Sequence, residues 1–333
     1  MKRIFLVFFT ALLAGVIFFY FWGSSATLSI ETYNKIYKFD DTSLTQKDTF
    51  SILTYNLGYL SGMTNNLPLE RTDTFFSQNL NSATRLIQQL QPDIIAFQEI
   101  DFDAHRSFHV NQMLEISQKN QFPYAAQAIN WDKTYVPFPY WPFSLHFGKV
   151  VSGQAVLSVY PILKNEIHVL AKPEENPFYY NAFYLDRLAQ LSVVEINKQP
   201  LVIINVHLEA FHSNTRNIQV KKLLELFHVY SEKYPVILCG DFNSTPPNAS
   251  DPWQDDHVIQ TLLADYQMEM AIGLSENQQN ENRYFTFSSA SPSKRIDYFF
   301  YNPKFIQFID ARVVSEAGTI SDHLPVRMKF TLR

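Results

Sequence analysis

The chain has 333 residues, 46% of them hydrophobic, a net charge of −5 and a single cysteine. That length supports one large single-core domain and requires no second one. The acidic balance argues against a long nucleic-acid footprint, which needs a basic face, and Cys239 alone excludes an intrachain disulfide.

Ile4 to Trp22 carries no charge and follows Lys2-Arg3. As a helix this run is roughly 28 Å long, which matches the ~30 Å hydrocarbon layer and exceeds the ~7–15-residue apolar region of a cleavable signal peptide. One N-terminal transmembrane helix is therefore expected, an anchor over residues 1–23. Gly23-Ser24-Ser25-Ala26 offers a small-residue cleavage site as the alternative, which would release the remainder as a secreted protein. Lys2 and Arg3 are expected to stay cytoplasmic, placing the rest of the chain outside the cytoplasm. Residues 24–48 are polar and mixed, read as a stalk with one short strand at Thr27–Tyr33, and a globular domain follows over residues 49–333.

Within that domain the β-rich run Phe50–Tyr55 ends at Asn56. Leu80, Ala83, Leu86, Ile87 and Leu90 recur at helical spacing until Pro92 stops them. Asp93–Phe97 is a short buried strand delivering Gln98-Glu99. Further strands are expected at Ala155–Val159, Leu188–Ile196 and Leu201–Val206, the last ending at His207. Asn214–Tyr230 has a helical pattern. Val236–Cys239 runs into Gly240-Asp241-Phe242-Asn243, and strands at Arg295–Tyr301 and Val326–Leu332 bracket Ser321-Asp322-His323. This alternation predicts a layered α/β domain.

Each polar residue taken alone has a structural explanation. Glu99 could be a solvated loop acid, His207 and His323 satisfied structural histidines, and Asp241, Asp297, Asn56 and Asn243 turn residues. Their shared placement, each beside the end of a separate apolar strand, is where open α/β sheets build their sites.

In order, the chain shows Tyr55-Asn56-Leu57, Gln98-Glu99, Gly153 to Ser158, Asn205-Val206-His207-Leu208, Gly240-Asp241-Phe242-Asn243, Arg295-Ile296-Asp297-Tyr298 and Ser321-Asp322-His323. That succession resembles the endonuclease/exonuclease/phosphatase superfamily over about Phe50 to Leu332. The resemblance implies a four-layer α/β sandwich, two packed mixed β-sheets flanked by helices, and a Mg²⁺-dependent phosphoric ester hydrolase, with Mn²⁺ as a second candidate cation. By the same resemblance Glu99 and Asp322 supply metal carboxylates, with Asn56 beside them as an oxygen ligand or phosphate contact. Asp241 orients or deprotonates the attacking water, Asn243 holds a phosphate oxygen, and Asp297 pairs with His323. His207 faces the same phosphate, and which histidine protonates the leaving group stays open. Gly58 departs from relatives carrying an Asp there, Val159 stands where an Arg is usual, and Tyr298-Phe299-Phe300 differs from the Asp-Arg pattern of inositol-polyphosphate phosphatases.

Two aromatic stretches stand apart: Trp131 to Phe147, which includes Trp141 and Phe143, and Phe178 to Tyr184. They fit a folded-down hydrophobic lid, a surface touching acyl chains or the membrane interface, or a stacking platform for unpaired bases. Together with the anchor they favour a phosphodiesterase of lipid metabolism, its partner a phospholipid or related amphiphile. An extracytoplasmic nuclease is the alternative, and a catalytically silent binding partner is disfavoured by the complete polar set.

Overall fold

The computed structural model describes residues 1–40, 47–249, 255–274 and 278–333. Its strands run in chain order β1 (Ile36–Lys38), β2 (Phe50–Asn56), β3 (Ile94–Asp101), β4 (Tyr124–Val136), β5 (Gly148–Ser158), β6 (Ile162–Val169), β7 (Leu188–Ile196), β8 (Gln199–His207), β9 (Val236–Asp241), β10 (Glu269–Met270), β11 (Asp297–Tyr301), β12 (Ile306–Val313) and β13 (Val326–Leu332). The helices are α1 (Lys2–Ser24), α2 (Asp73–Leu90), α3 (Gln112–Lys119), α4 (Phe178–Phe183), α5 (Ser213–Ser231) and α6 (Val258–Leu263).

The strands form a seven-stranded sheet ordered β1-β4-β5-β3-β2-β13-β12 and a six-stranded sheet ordered β10-β11-β9-β8-β7-β6. Most buried residues of the two sheets divide into three slabs. One lies between α2, α3 and the first sheet, one between the sheets, where Ile52, Ile94, Ile203, Ile237 and Phe299 meet, and one between the second sheet and α5, α6. This is the expected four-layer sandwich.

Local chemistry sets the elements. Thr72 accepts a hydrogen bond from Phe75 N and caps α2, whose Phe76, Leu80, Ala83, Leu86, Ile87 and Leu90 all face inward. Each such large apolar side chain contributes about 1.5–3 kcal/mol of burial. The helix therefore starts before its first strongly periodic leucine.

The strand expected at Thr27–Tyr33 is absent. Residues 30–32 form a 3-10 turn, and the strand begins at Ile36, pairing antiparallel with β4. The cause is Asp132, whose carboxylate accepts from Thr27 N, Thr27 Oγ1, Leu28 N and Tyr33 Oη and so bends the chain away from extended pairing. Residues 25–38, expected within a stalk, lie along β4, and residues 41–46 of that stretch fall outside the described residues.

What positions the site is the strand sense. Each sheet contains one parallel pair, β2 with β3 and β8 with β9, so Asn56, Glu99, His207 and Asp241 emerge at carboxyl-terminal strand ends. The antiparallel β11 and β13 start at that same edge, and this brings Asp297 and the loop carrying His323 to it.

Candidate active site at the sheet edges

The register places Asp241 beside both His207 and Asp297. Asn56 Nδ2 donates to Asp241 Oδ2 at 2.9 Å, and Asn243 N donates to Asp241 Oδ1 at 2.8 Å. His207 Nε2 and His323 Nε2 lie 3.5 and 3.7 Å from Asp241 Oδ2. The Asp241 carboxylate is thus the centre on which the two halves of the molecule converge. Burial pushes its pKa up to about 7 against the pull of His323 and Asn56.

Asp297 Oδ2 lies 3.0 Å from His323 Nδ1. Burial opposes protonation of His323, but Asp297 and Asp241 overcome it and hold its pKa well above the usual range. His207 behaves in the opposite way. Burial, then the positive Arg187 and His323, hold its pKa well below the ordinary value.

Glu99 sits at a break in the β3–β5 register with φ +49, a left-handed conformation that turns its carboxylate out of the strand. Asn243 shares that geometry at φ +48. Backbone conformations of this kind are sparsely populated, and they gather where the surrounding structure enforces them for function. Asn65 Nδ2 donates to Glu99 Oε2 at 2.9 Å, and Glu99 Oε1 lies 3.7 Å from His207 Nε2.

The Gly58 departure has a steric reason. With φ +52, a Cβ there would lie 2.8 Å from Asp322 Oδ1 and 2.9 Å from Ser321 Oγ. The Ser321-Asp322 loop fills the space a side chain would need at this position. Ser321 Oγ pins that loop by donating to Asn56 O at 2.8 Å. Tyr298 likewise has a local task, its hydroxyl reaching Ser244 O at 2.9 Å and steadying the segment after Asn243.

Asp241, Asp297 and His323 present metal-ligating atoms within 4.8 Å of one another, but the Asp297–His323 hydrogen bond already engages two of these residues. Glu99 offers a further carboxylate, beside Asn65 and His207. Burial first, and then Asp322, raise its pKa against the pull of His323, Asn65 and Arg187, and a hard divalent cation would favour the charged carboxylate. Asn56 Oδ1 stands nearby, accepting from Gly58 N. Oxygen donors without sulfur suit Mg²⁺ or Mn²⁺.

Arg187, a residue the motif reading passes over, belongs to the same cluster. Its Nη1 lies 2.6 Å from His207 Nε2, its Nε lies 3.4 Å from Glu209 Oε2, and its Nη2 donates to Tyr184 Oη at 3.1 Å. Its one sequence signal is its place immediately before the buried strand β7. Asn65, the partner of Glu99, lies in a loop with no pattern around it.

The Trp131–Phe147 stretch divides. Trp131, Val136 and Phe147 pack with Val150 and Leu185, whereas Trp141 and Phe143 at the tip are 72% and 67% exposed, 5.1 Å apart edge to face.

The model of the Endonuclease/Exonuclease/phosphatase family matches residues 53–323. The chain belongs to this family. Its members hydrolyse phosphoester bonds and generally use a divalent metal. Among curated proteins, the chain is 37% identical over 71 residues to Carbon catabolite repressor protein 4 homolog 3 of Arabidopsis thaliana, an alignment covering 18% of this chain and 16% of that protein. It is 29% identical over 136 residues to a UPF0294 protein of Vibrio cholerae, covering 40% and 41%. The chain thus spans well under half the length of these relatives. Among solved structures, the endonuclease/exonuclease/phosphatase from Beutenbergia cavernae DSM 12333 superposes with a TM-score of 0.62 at 19% identity, covering 86% of this chain and 72% of that one, a likeness of fold.

Proposed function

We propose that this protein is a membrane-anchored, divalent-metal-dependent phosphodiesterase acting on a phospholipid or related amphiphile. The observation that carries the chemistry is the convergence of Asn56, His207, Asn243 and His323 on the single buried carboxylate of Asp241, with Glu99 adjoining. Glu99, with Asp322 and Asn56, would hold Mg²⁺ or Mn²⁺, which supplies the positive charge that lets a phosphodiester accept a nucleophile.

Asp241, oriented by Asn56 Nδ2 and Asn243 N, takes the proton of the attacking water. His323 has its Nδ1 fixed on Asp297, so its Nε2 carries the proton delivered to the leaving oxygen. His207 cannot serve there through Nε2, because that nitrogen accepts from Arg187. Arg187, held in place by His207 Nε2, instead binds a phosphate oxygen, and Asn243 donates to another.

The lipid assignment rests on α1 and the aromatics. Lys2–Ser24 has mean hydropathy 2.6 over its most apolar window, none of which is buried. We read residues 1–23 as the anchor, with Lys2-Arg3 cytoplasmic and the catalytic domain, residues 49–333, extracytoplasmic. Exposed Trp141 and Phe143 suit an interface between water and acyl chains. The test is the purified protein with Mg²⁺ against phospholipid vesicles, plasmid DNA, RNA and a chromogenic phosphodiester. Preference for vesicle lipid supports the proposal. Cleavage of nucleic acid alone replaces it with an extracytoplasmic nuclease.

A further inference from the structure

α1 leaves the domain through a fitted socket. Gly23 is buried, and a Cβ there would lie 3.0 Å from Phe183 Cε1 and 3.2 Å from Tyr135 O, so a larger residue would push the helix or these neighbours apart. Phe19 stacks on Phe183 with ring centroids 6.1 Å apart, Trp22 stacks on Tyr135 at 5.8 Å, and Tyr20 meets Phe178 edge-on at 6.0 Å.

The chain beyond the helix is fastened at once. Lys133 Nζ donates to Ser24 O at 3.1 Å, and Thr134 N donates to Ser25 O at 2.8 Å. The buried Asp132 then takes Thr27 N at 2.8 Å and Leu28 N at 2.9 Å. No slack remains between membrane helix and domain.

Length converts this fit into an orientation. The uncharged run Ile4–Trp22 spans roughly 28 Å as a helix, all of it needed for a ~30 Å hydrocarbon layer. Its last turn is nevertheless the part that touches Tyr135, Phe178 and Phe183. Those residues must therefore lie at headgroup level. Beside them Phe178, 76% exposed, and Tyr179 face solvent, as does the Trp141 tip, the residue types favoured at a membrane interface. The same patch leads to the chemistry. Tyr180 stacks on Tyr184 at 5.2 Å, and the Tyr184 hydroxyl accepts from Arg187, the neighbour of His207.

We propose that docked α1 and the adjoining aromatic rim form one bilayer-seated surface that holds the Arg187 edge of the site against the membrane α1 spans. The protein is thereby restricted to phosphodiester lipids of its own leaflet. This deepens the proposed function and rests on its reading of α1 as a span and of the substrate as a lipid.

The full chain is reconstituted in liposomes holding one fluorescent phosphodiester lipid and mixed with protein-free vesicles holding a second of another colour. Hydrolysis in its own bilayer is expected to run roughly tenfold or more faster, since a shared surface raises effective concentration. A flexible Gly-Ser insertion after Ser25, and separately Tyr135→Ala with Phe183→Ala, should slow hydrolysis in the protein's own bilayer by roughly tenfold, tethering alone keeping part of the preference, while leaving turnover of a soluble chromogenic phosphodiester unchanged.

Orientation has its own readout. Tyr179→Cys is labelled with an environment-sensitive fluorophore, Cys239 being buried, and quenched with headgroup spin-labelled lipid. Quenching in the docked protein that is lost on insertion supports the proposal. No quenching, or quenching that survives insertion, overturns it even if lipid is hydrolysed. Quenching without any lipid hydrolysis leaves the orientation standing and removes the substrate reading instead.

Discussion

Arg187 Nη1 lies 2.6 Å from His207 Nε2. A guanidinium only donates, so this ring nitrogen is the acceptor and His207 keeps its proton on Nδ1. The two histidines flanking Asp241 are thereby unlike, one neutral beside a fixed cation and the other charged beside two carboxylates.

Replacing Arg187 separates its two tasks. Arg187→Met removes a phosphate donor, and turnover should fall on the order of 10²-fold. It also removes the cationic partner of the buried Glu209 carboxylate, which keeps Tyr184 Oη and Phe211 N as donors, at a cost of about 1–3 kcal/mol in chemical denaturation. In the metal-free protein the His207 pKa should rise toward the ordinary histidine range, read from ring-proton NMR titration. A His207 titration that does not move would show that Arg187 does not control this residue.

Glu99→Gln keeps the side-chain shape and a carbonyl oxygen for Asn65, so the fold should persist with an unchanged far-ultraviolet circular dichroism spectrum. Turnover at limiting Mg²⁺ should fall by roughly 10²-fold or more, and calorimetric Mn²⁺ binding should weaken in parallel. Wild-type turnover at limiting Mg²⁺ would remove Glu99 from the metal seat.

Asp297→Asn leaves His323 a neutral partner that no longer favours its charged form. A loss of roughly 10²–10⁴-fold in kcat with little change in KM is expected from losing a proton donor. If kcat were retained and only KM rose, His323 would be a binding residue.

The topology prediction is independent of the chemistry. A reporter that works only outside the cytoplasm, fused after Arg333, should be active in cells, and a cytoplasmic reporter at the same position should be silent. The opposite pattern would place the site in the cytoplasm.

Much of the site is legible in the sequence because its members stand at ends of strongly apolar strands. Asn56 closes Phe50–Tyr55, His207 closes a run of branched residues, and Asp241 follows Val236–Cys239. Arg187 escapes because a single arginine before a strand has no distinguishing spacing, and its role exists only once β7 lies against β8. β4 escapes for a different reason: Ala125, Ala126 and Ala128 carry little strand preference, and pairing with β5 and β1 supplies the order. The turn at residues 30–32 is likewise tertiary, set by Asp132 more than a hundred positions away. The aromatic stretch could not be resolved into packed Trp131 and exposed Trp141 without the fold, since composition is the same on both sides.

The claim that this site works on lipid phosphodiesters at a bilayer surface is tested most directly by one comparison in the Trp141→Ser, Phe143→Ser double variant. Hydrolysis of vesicle lipid is measured against hydrolysis of a small soluble phosphodiester in the same preparation. Both side chains are exposed, so their removal costs interfacial partitioning worth on the order of a few kcal/mol and spares the core. Slower vesicle hydrolysis, with soluble turnover and Tm unchanged, is the result the account predicts. Unchanged vesicle hydrolysis would contradict it.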